Sequence, residues 1–77
     1  NGLRLWPVPT NHELNVESSS SLSAVAVYTA SGIKTIRKTF PDKTEKATID
    51  VSALQKGYYI AVISTADGEI KRPFVKR

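Results

Sequence analysis

Side chains with catalytic potential are few and scattered in this sequence. His12 is the only histidine, and there is no cysteine. Thiolate metal ligation, thiol catalysis and disulfide cross-links are thereby excluded. A metal held by His12 would have to recruit carboxylates. Glu13 adjoins it, but on a strand Glu13 points to the opposite face. Serines and the well-separated aspartates Asp50 and Asp67 are also present. No nucleophile elbow surrounds any serine and His12 falls in a turn, so a Ser-His-Asp relay has no frame. Asp50 and Asp67 sit at strand ends or turns, where a carboxylate typically hydrogen-bonds its own backbone. The four glycines are isolated from one another, so no glycine-rich loop is available to cradle a phosphate. These residues predict a domain without catalysis, cofactor or metal.

The elements that position them are strands. Apolar residues recur with a period of two along most of the chain. Leu3 and Leu5 flank Arg4, and Pro7 and Pro9 stop that strand. Thr10-Asn11-His12 reads as a turn. Leu14 and Val16 alternate with Glu13, Asn15 and Glu17, which predicts a strand with one wet face. Ser18 to Ser21 read as a loop. Ala24 to Tyr28 is apolar on both faces and predicts a central strand. In the hairpin turn Ala30-Ser31-Gly32, Gly32 is free to take a positive φ. Ile33 to Phe40 is more polar and suits an edge, and Pro41-Asp42-Lys43 turns the chain.

Ala47 to Val51 is the next strand. Ser52 to Lys56 is long enough for one helical turn or a 3₁₀ corner, with Leu54 plugging the bottom of the core. Gly57 lets the backbone re-enter the sheet. Tyr58 to Ser64 is apolar on both faces, which predicts burial between two layers. Tyr58 and Tyr59 face opposite ways, and the hydroxyl of the inward one is placed to tie a corner. Ala66-Asp67-Gly68 is a hairpin signal. Ile70 to Val75 closes the chain, and Pro73 places it at an edge or on a bulge. About seven strands at spacings of about 8–12 residues predict an all-β, immunoglobulin-like antiparallel sandwich.

Size and charge bound the rest. The 77 residues make one domain near the lower limit for a self-supporting core, which the 40% apolar residues must supply. Trp6 is either a lid on the sandwich end or an exposed recognition residue; scarcity of bulk favours packing. No methionine occurs, even at the first position. The chain therefore reads as a piece of a longer protein, any export leader belonging to the missing front. No apolar run is long enough to span a membrane. Eleven basic against seven acidic residues give +4, and Lys71, Arg72, Lys76 and Arg77 against Glu69 concentrate +3 at the end. Such a surface suits solubility or an anionic partner. The aromatics read as core, unlike the interleaved aromatics of nucleic-acid binders.

Three blocks resemble one known family. Leu5 to Val16, which contains Trp6-Pro7-Val8-Pro9 and Leu14-Asn15-Val16, is similar to its opening block. There the family usually has Tyr or Phe at the position of Trp6, and Asn at that of Val8. Val25 to Gly32 resembles its hairpin, with Thr29 where Asp or Asn is commoner. Ile49 to Ile63 (with Asp50, Leu54, Gly57 and Tyr59), then Gly68 and the ending Lys71 to Lys76, resemble its closing block. The family is the C-terminal sorting domain of the type IX (Por) secretion system of Bacteroidetes.

The resemblance implies a single domain, residues 1–77, at the end of a secreted protein. It passes through the periplasm and is recognised by the translocon, and the parent reaches the cell surface or medium. In many members a sortase removes the domain and attaches the cargo to anionic lipopolysaccharide, while others keep the domain and serve as machinery. The recognition determinants carried over are Gly68, Lys71, Phe74, Val75 and Lys76, with Arg77 as an added terminal charge. A terminal edge strand weakened by Pro73 suits strand addition to a receptor. Edge pairing also allows a dimer beside the monomer. The alternatives are an accessory immunoglobulin-like adhesion or carbohydrate-binding module, which needs an exposed aromatic platform, and a spacer domain without a partner.

Overall fold

In the computed structural model, which describes residues 2–77, the chain forms five strands. They are β1 (Leu3–Trp6), β2 (Glu13–Thr29), β3 (Lys34–Asp50), β4 (Gly57–Thr65) and β5 (Gly68–Lys76). All pairings between them are antiparallel. β3 follows one edge of β2 along nearly its whole length. β1 and β4 share the other edge, β1 beside Asn15–Ser18 and β4 beside Leu22–Thr29. β5 pairs with β4, completing the order β1-β2-β4-β5.

The all-β expectation holds, but the strands number five rather than about seven. Two pairs of expected strands are each one long strand. β2 runs through the serines, and β3 runs through Pro41-Asp42-Lys43. Glu17 faces Lys46 and Leu22 faces Thr44, so Ser18–Ser21 lie opposite Glu45 alone. Ala24 faces Thr39, so Phe40–Lys43 lie opposite Ser23 alone. The two excursions offset each other, and pairing resumes in the register it had before. Such bulges bend a sheet without ending it.

The serine backbone stays bonded at the bend. Ser19 N–H donates to the Gly2 carbonyl, and Ala66 N–H to the Ser21 carbonyl, each at 2.9 Å. The Ser18 hydroxyl accepts the Ser20 N–H at 3.0 Å. A polar run with no apolar period reads as a loop, yet backbone bonds, helped by the Ser18 hydroxyl, keep it in the sheet.

The bent sheet closes on one core. Leu14, Val16 and Ile49 come from one arm, Val25, Val27, Ala61 and Ile63 from the other, and Tyr59 and Phe74 join them. Burying each Val, Leu, Ile or Phe side chain among them contributes roughly 1.5–3 kcal/mol relative to exposure. One core between two arms of a curled antiparallel sheet is consistent with a small immunoglobulin-like sandwich.

Connections follow the residues that make them. In the β2–β3 turn Gly32 takes φ 92°, a region costly to residues with a side chain. Its N–H donates to the Thr29 carbonyl at 2.9 Å, and Thr29 N–H to the Ile33 carbonyl at 2.8 Å. Between β3 and β4 the chain makes one turn, in which Leu54 N–H donates to the Val51 carbonyl at 3.0 Å. Leu54 packs half-buried against the core.

The expectation of burial on both faces of β4 is corrected. Tyr59, Ala61 and Ile63 are buried, but Ile60 and Val62 are half-buried and Tyr58 is 56% exposed. The second layer covers the inner face only. Trp6 is also no core lid. Leu3 and Leu5 pack inward, whereas half-buried Trp6 shares the outer face with Arg4, whose guanidinium carbon lies 4.8 Å from the ring centroid.

Candidate recognition strand

The basic C-terminal segment forms β5, which begins after the two-residue turn Ala66-Asp67. Gly68 opens it with φ 129°, a conformation that a side chain would strain. Thr65 stabilises the turn: its Oγ1 accepts Asp67 N–H at 3.1 Å and donates to the Gly68 carbonyl at 3.0 Å. The Asp67 carboxylate accepts the Ser20 hydroxyl rather than its own backbone, so the expectation for Asp67 is corrected.

β5 lies at the edge of the sheet, with a regular register from Gly68 to Lys76 and no bulge. Alternation divides its side chains between two faces. Phe74 is 1% exposed and stacks on Tyr59, ring centroids 5.7 Å apart. The Tyr59 hydroxyl donates to the Gln55 carbonyl at 2.8 Å. That is the corner tie the Tyr58-Tyr59 pair predicts, and it anchors the turn holding Leu54.

Lys76 is 7% exposed. Its Nζ donates to the Leu54 carbonyl at 2.9 Å and to the Arg77 carbonyl at 3.3 Å. An ammonium out of water needs such acceptors to offset its desolvation. Phe74 and Lys76 are therefore unavailable for direct contact in the folded domain. Lys71 and Arg77 are exposed, and so is Val75, at 37%.

Thr10 is the residue that sequence reasoning missed. It is 1% exposed and bridges to the final strand in parallel. Thr10 N–H donates to the Val75 carbonyl at 2.9 Å, and Arg77 N–H donates to the Thr10 carbonyl at 2.8 Å. Its hydroxyl donates to the Glu13 carbonyl. A polar triplet after two prolines signals a turn, and nothing local reveals that the C terminus comes to lie against it.

This bracket also orients Pro73. Along a strand, backbone groups two residues apart point to the same edge. The Val75 carbonyl faces Thr10, so the nitrogen of Pro73, which carries no hydrogen, faces the same outer edge. That edge lacks a donor at Pro73, and its end is already taken by Thr10.

The other singled-out residues serve the frame. Asp50 ends β3, and its Oδ1 accepts the Ser52 hydroxyl at 2.6 Å and the Ser52 N–H at 2.9 Å. The hydroxyl first, then the N–H, hold this exposed carboxyl below its ordinary pKa. Pro7 and Pro9 are exposed between β1 and Thr10. His12 is exposed, and its carbonyl accepts Val51 N–H at 2.9 Å. Among the described residues, no three metal-ligating side chains come together.

Beta-agarase D of Zobellia galactanivorans is 40% identical over 67 residues, covering 87% of this chain but only 13% of that protein. The sequence profile of the secretion system C-terminal sorting domain matches residues 4–77. The chain belongs to that family, the type IX sorting domains, which mark the proteins carrying them for export across the outer membrane to the cell surface or medium.

Proposed function

We propose that the sorting signal is read from the final strand through its exposed side chains Lys71, Val75 and Arg77. Gly68 sets where the strand starts, and Phe74 and Lys76 hold it in place from inside. The observation that carries this reading is the double fixation of the C terminus, by Thr10 on the backbone and by Lys76 on the Leu54 carbonyl. A fixed strand presents its side chains at constant spacing, so a receptor spends little entropy ordering them. Strand addition is the weaker mode, because the open edge lacks a donor at Pro73 and ends at Thr10.

The reading extends to the parent. The domain stands at the end of a longer secreted protein. The translocon recognises it, and a sortase then exchanges it for a link to anionic lipopolysaccharide. The domain itself does no chemistry, in keeping with its family. A binding module built on Trp6 is disfavoured because Arg4 covers one face of that ring.

The test fuses residues 1–77 to a periplasmically exported fluorescent protein in a type IX-competent host. Surface or medium delivery that requires the translocon is expected. The combined substitutions Lys71→Glu and Arg77→Glu should leave the fusion folded in the periplasm. Undiminished delivery of that variant would refute reading through the final strand. The mass of the delivered reporter shows whether the domain is removed.

A further inference from the structure

The outer side of the sheet formed by β2, β4 and β5 carries an apolar stripe, with half-buried Tyr28, Ile60 and Val62 beside exposed Tyr58, over which no second layer of the described residues lies. Tyr28 pairs with Ile60 and Ala26 with Val62 across β2 and β4. Ile60 pairs with Pro73 and Tyr58 with Val75 across β4 and β5. An antiparallel sheet with one solvated face normally carries polar residues there. Here the solvated face is apolar along its centre, as sites of association are.

The stripe is shaped as well as apolar. A groove of about 340 Å³ runs over Tyr28, Ile60 and Val62, between the β2–β3 turn and the wall formed by Glu69 and Lys71. Cations flank the stripe on both sides. Arg37 pairs with Ala26 on β3 and Lys34 with Tyr28; the Lys34 Nζ lies 6.0 Å from the Tyr28 ring centroid. Lys71 pairs with Val62 on β5, and Glu69 is the one carboxylate on the wall.

This charge selects the occupant. A second copy of a chain carrying +4 would set like charges against the rim. A protein surface with an apolar centre and carboxylates around it is complementary in both respects. We propose that this face, centred on Tyr28, Ile60 and Val62 and rimmed by Lys34, Arg37 and Lys71, docks the folded domain on such an acidic-rimmed apolar surface of the secretion machinery. The proposal rests on the sorting reading and enlarges its site from the final strand to the sheet behind it.

The experiment uses the reporter fusion in the type IX-competent host. Val62→Glu should cut surface and medium delivery about tenfold, as a charge at an interface centre does. Lys34→Glu with Arg37→Glu should cut it similarly. Ala53→Glu, in the exposed β3–β4 turn, should leave it unchanged. Thermal melts of the purified fusions confirm that each variant is folded. A photo-crosslinking residue at position 62 should capture a translocon component, and added wild-type domain should compete the capture away.

Undiminished delivery of folded Val62→Glu overturns the docking surface and leaves the sorting reading standing. Retention of the unsubstituted fusion in the periplasm overturns both. Crosslinks only between two copies, or only to lipopolysaccharide, also overturn the proposal.

Discussion

Along β4, Tyr59, Ala61 and Ile63 lie inside the core, whereas Tyr58, Ile60 and Val62 look onto the uncovered side of the same sheet. The two sets interleave and are nearly equal in apolar content. They differ in what lies opposite. The inner set meets Phe74 and the arm of the sheet carrying Leu14 and Ile49. The outer set meets its strand neighbours, flanking cations and the Glu69 carboxylate. Apolar content thus states what a side chain tolerates, and the second layer decides which side is dry. Where both sides tolerate burial and one is left open, the open side is available to a partner.

Substitutions on each side test this contrast. Phe74→Ala should cost about 3–5 kcal/mol, because it opens a cavity beneath Tyr59 in a close-packed core. That is a large part of the total stability expected for a domain this small, and a urea titration would find most of the variant unfolded. A loss below about 1 kcal/mol would mean the inner side is less tightly packed than its burial indicates.

Lys76→Met should cost about 1–3 kcal/mol by leaving the Leu54 carbonyl without its donor. Equilibrium unfolding measures it, and an unchanged midpoint would show that the carbonyl finds another partner. Tyr59→Phe should cost about 1 kcal/mol, the net value of the bond to Gln55. In hydrogen exchange, its effect should concentrate in the Val51–Gly57 turn. On the outer side Val62→Thr should change stability by less than about 0.5 kcal/mol. A larger loss would mean that side is packed after all.

The smallest effect belongs to Asp50 at the exposed end of β3. Its folded pKa is lowered by Ser52, so its contribution is present above the unfolded pKa of about 3.9 and disappears as pH falls through the lower folded value. Comparing melting temperatures of the wild type and Asp50→Asn from pH 7 downward, the gap should be small near neutrality and close in acid. A gap that widened in acid would contradict the assignment.

Several features were legible because they are local. Gly32 and the Asp67-Gly68 pair marked hairpins, since positive φ and turn hydrogen bonds involve only a few neighbouring residues. Pro73 marked an edge or a bulge, because the missing donor is a property of the residue itself, and the regular pairing of β5 chose the edge. A corner tie from one of the two adjacent tyrosines followed from alternation, and packing made it Tyr59. The seven expected strands were five because bulges at Ser18–Ser21 and Phe40–Lys43 keep backbone bonds through segments without apolar pattern. Of the candidate recognition residues, the basic, strand-forming end of the chain was plain in the sequence. The division into exposed Lys71, Val75 and Arg77 and buried Phe74 and Lys76 was not.

Residue types and short spacings were enough for an all-β chain without thiol chemistry, its hairpins, an edge or bulge at Pro73, and the motif blocks of its family. Each is set by residue type and short spacing. Tertiary structure alone decided that Thr10 brackets the C terminus and that the Lys76 ammonium lies buried on the Leu54 carbonyl. It also decided that one apolar side of β4 stays open. Those outcomes depend on which distant segments come to lie opposite, and neither periodicity nor propensity encodes that.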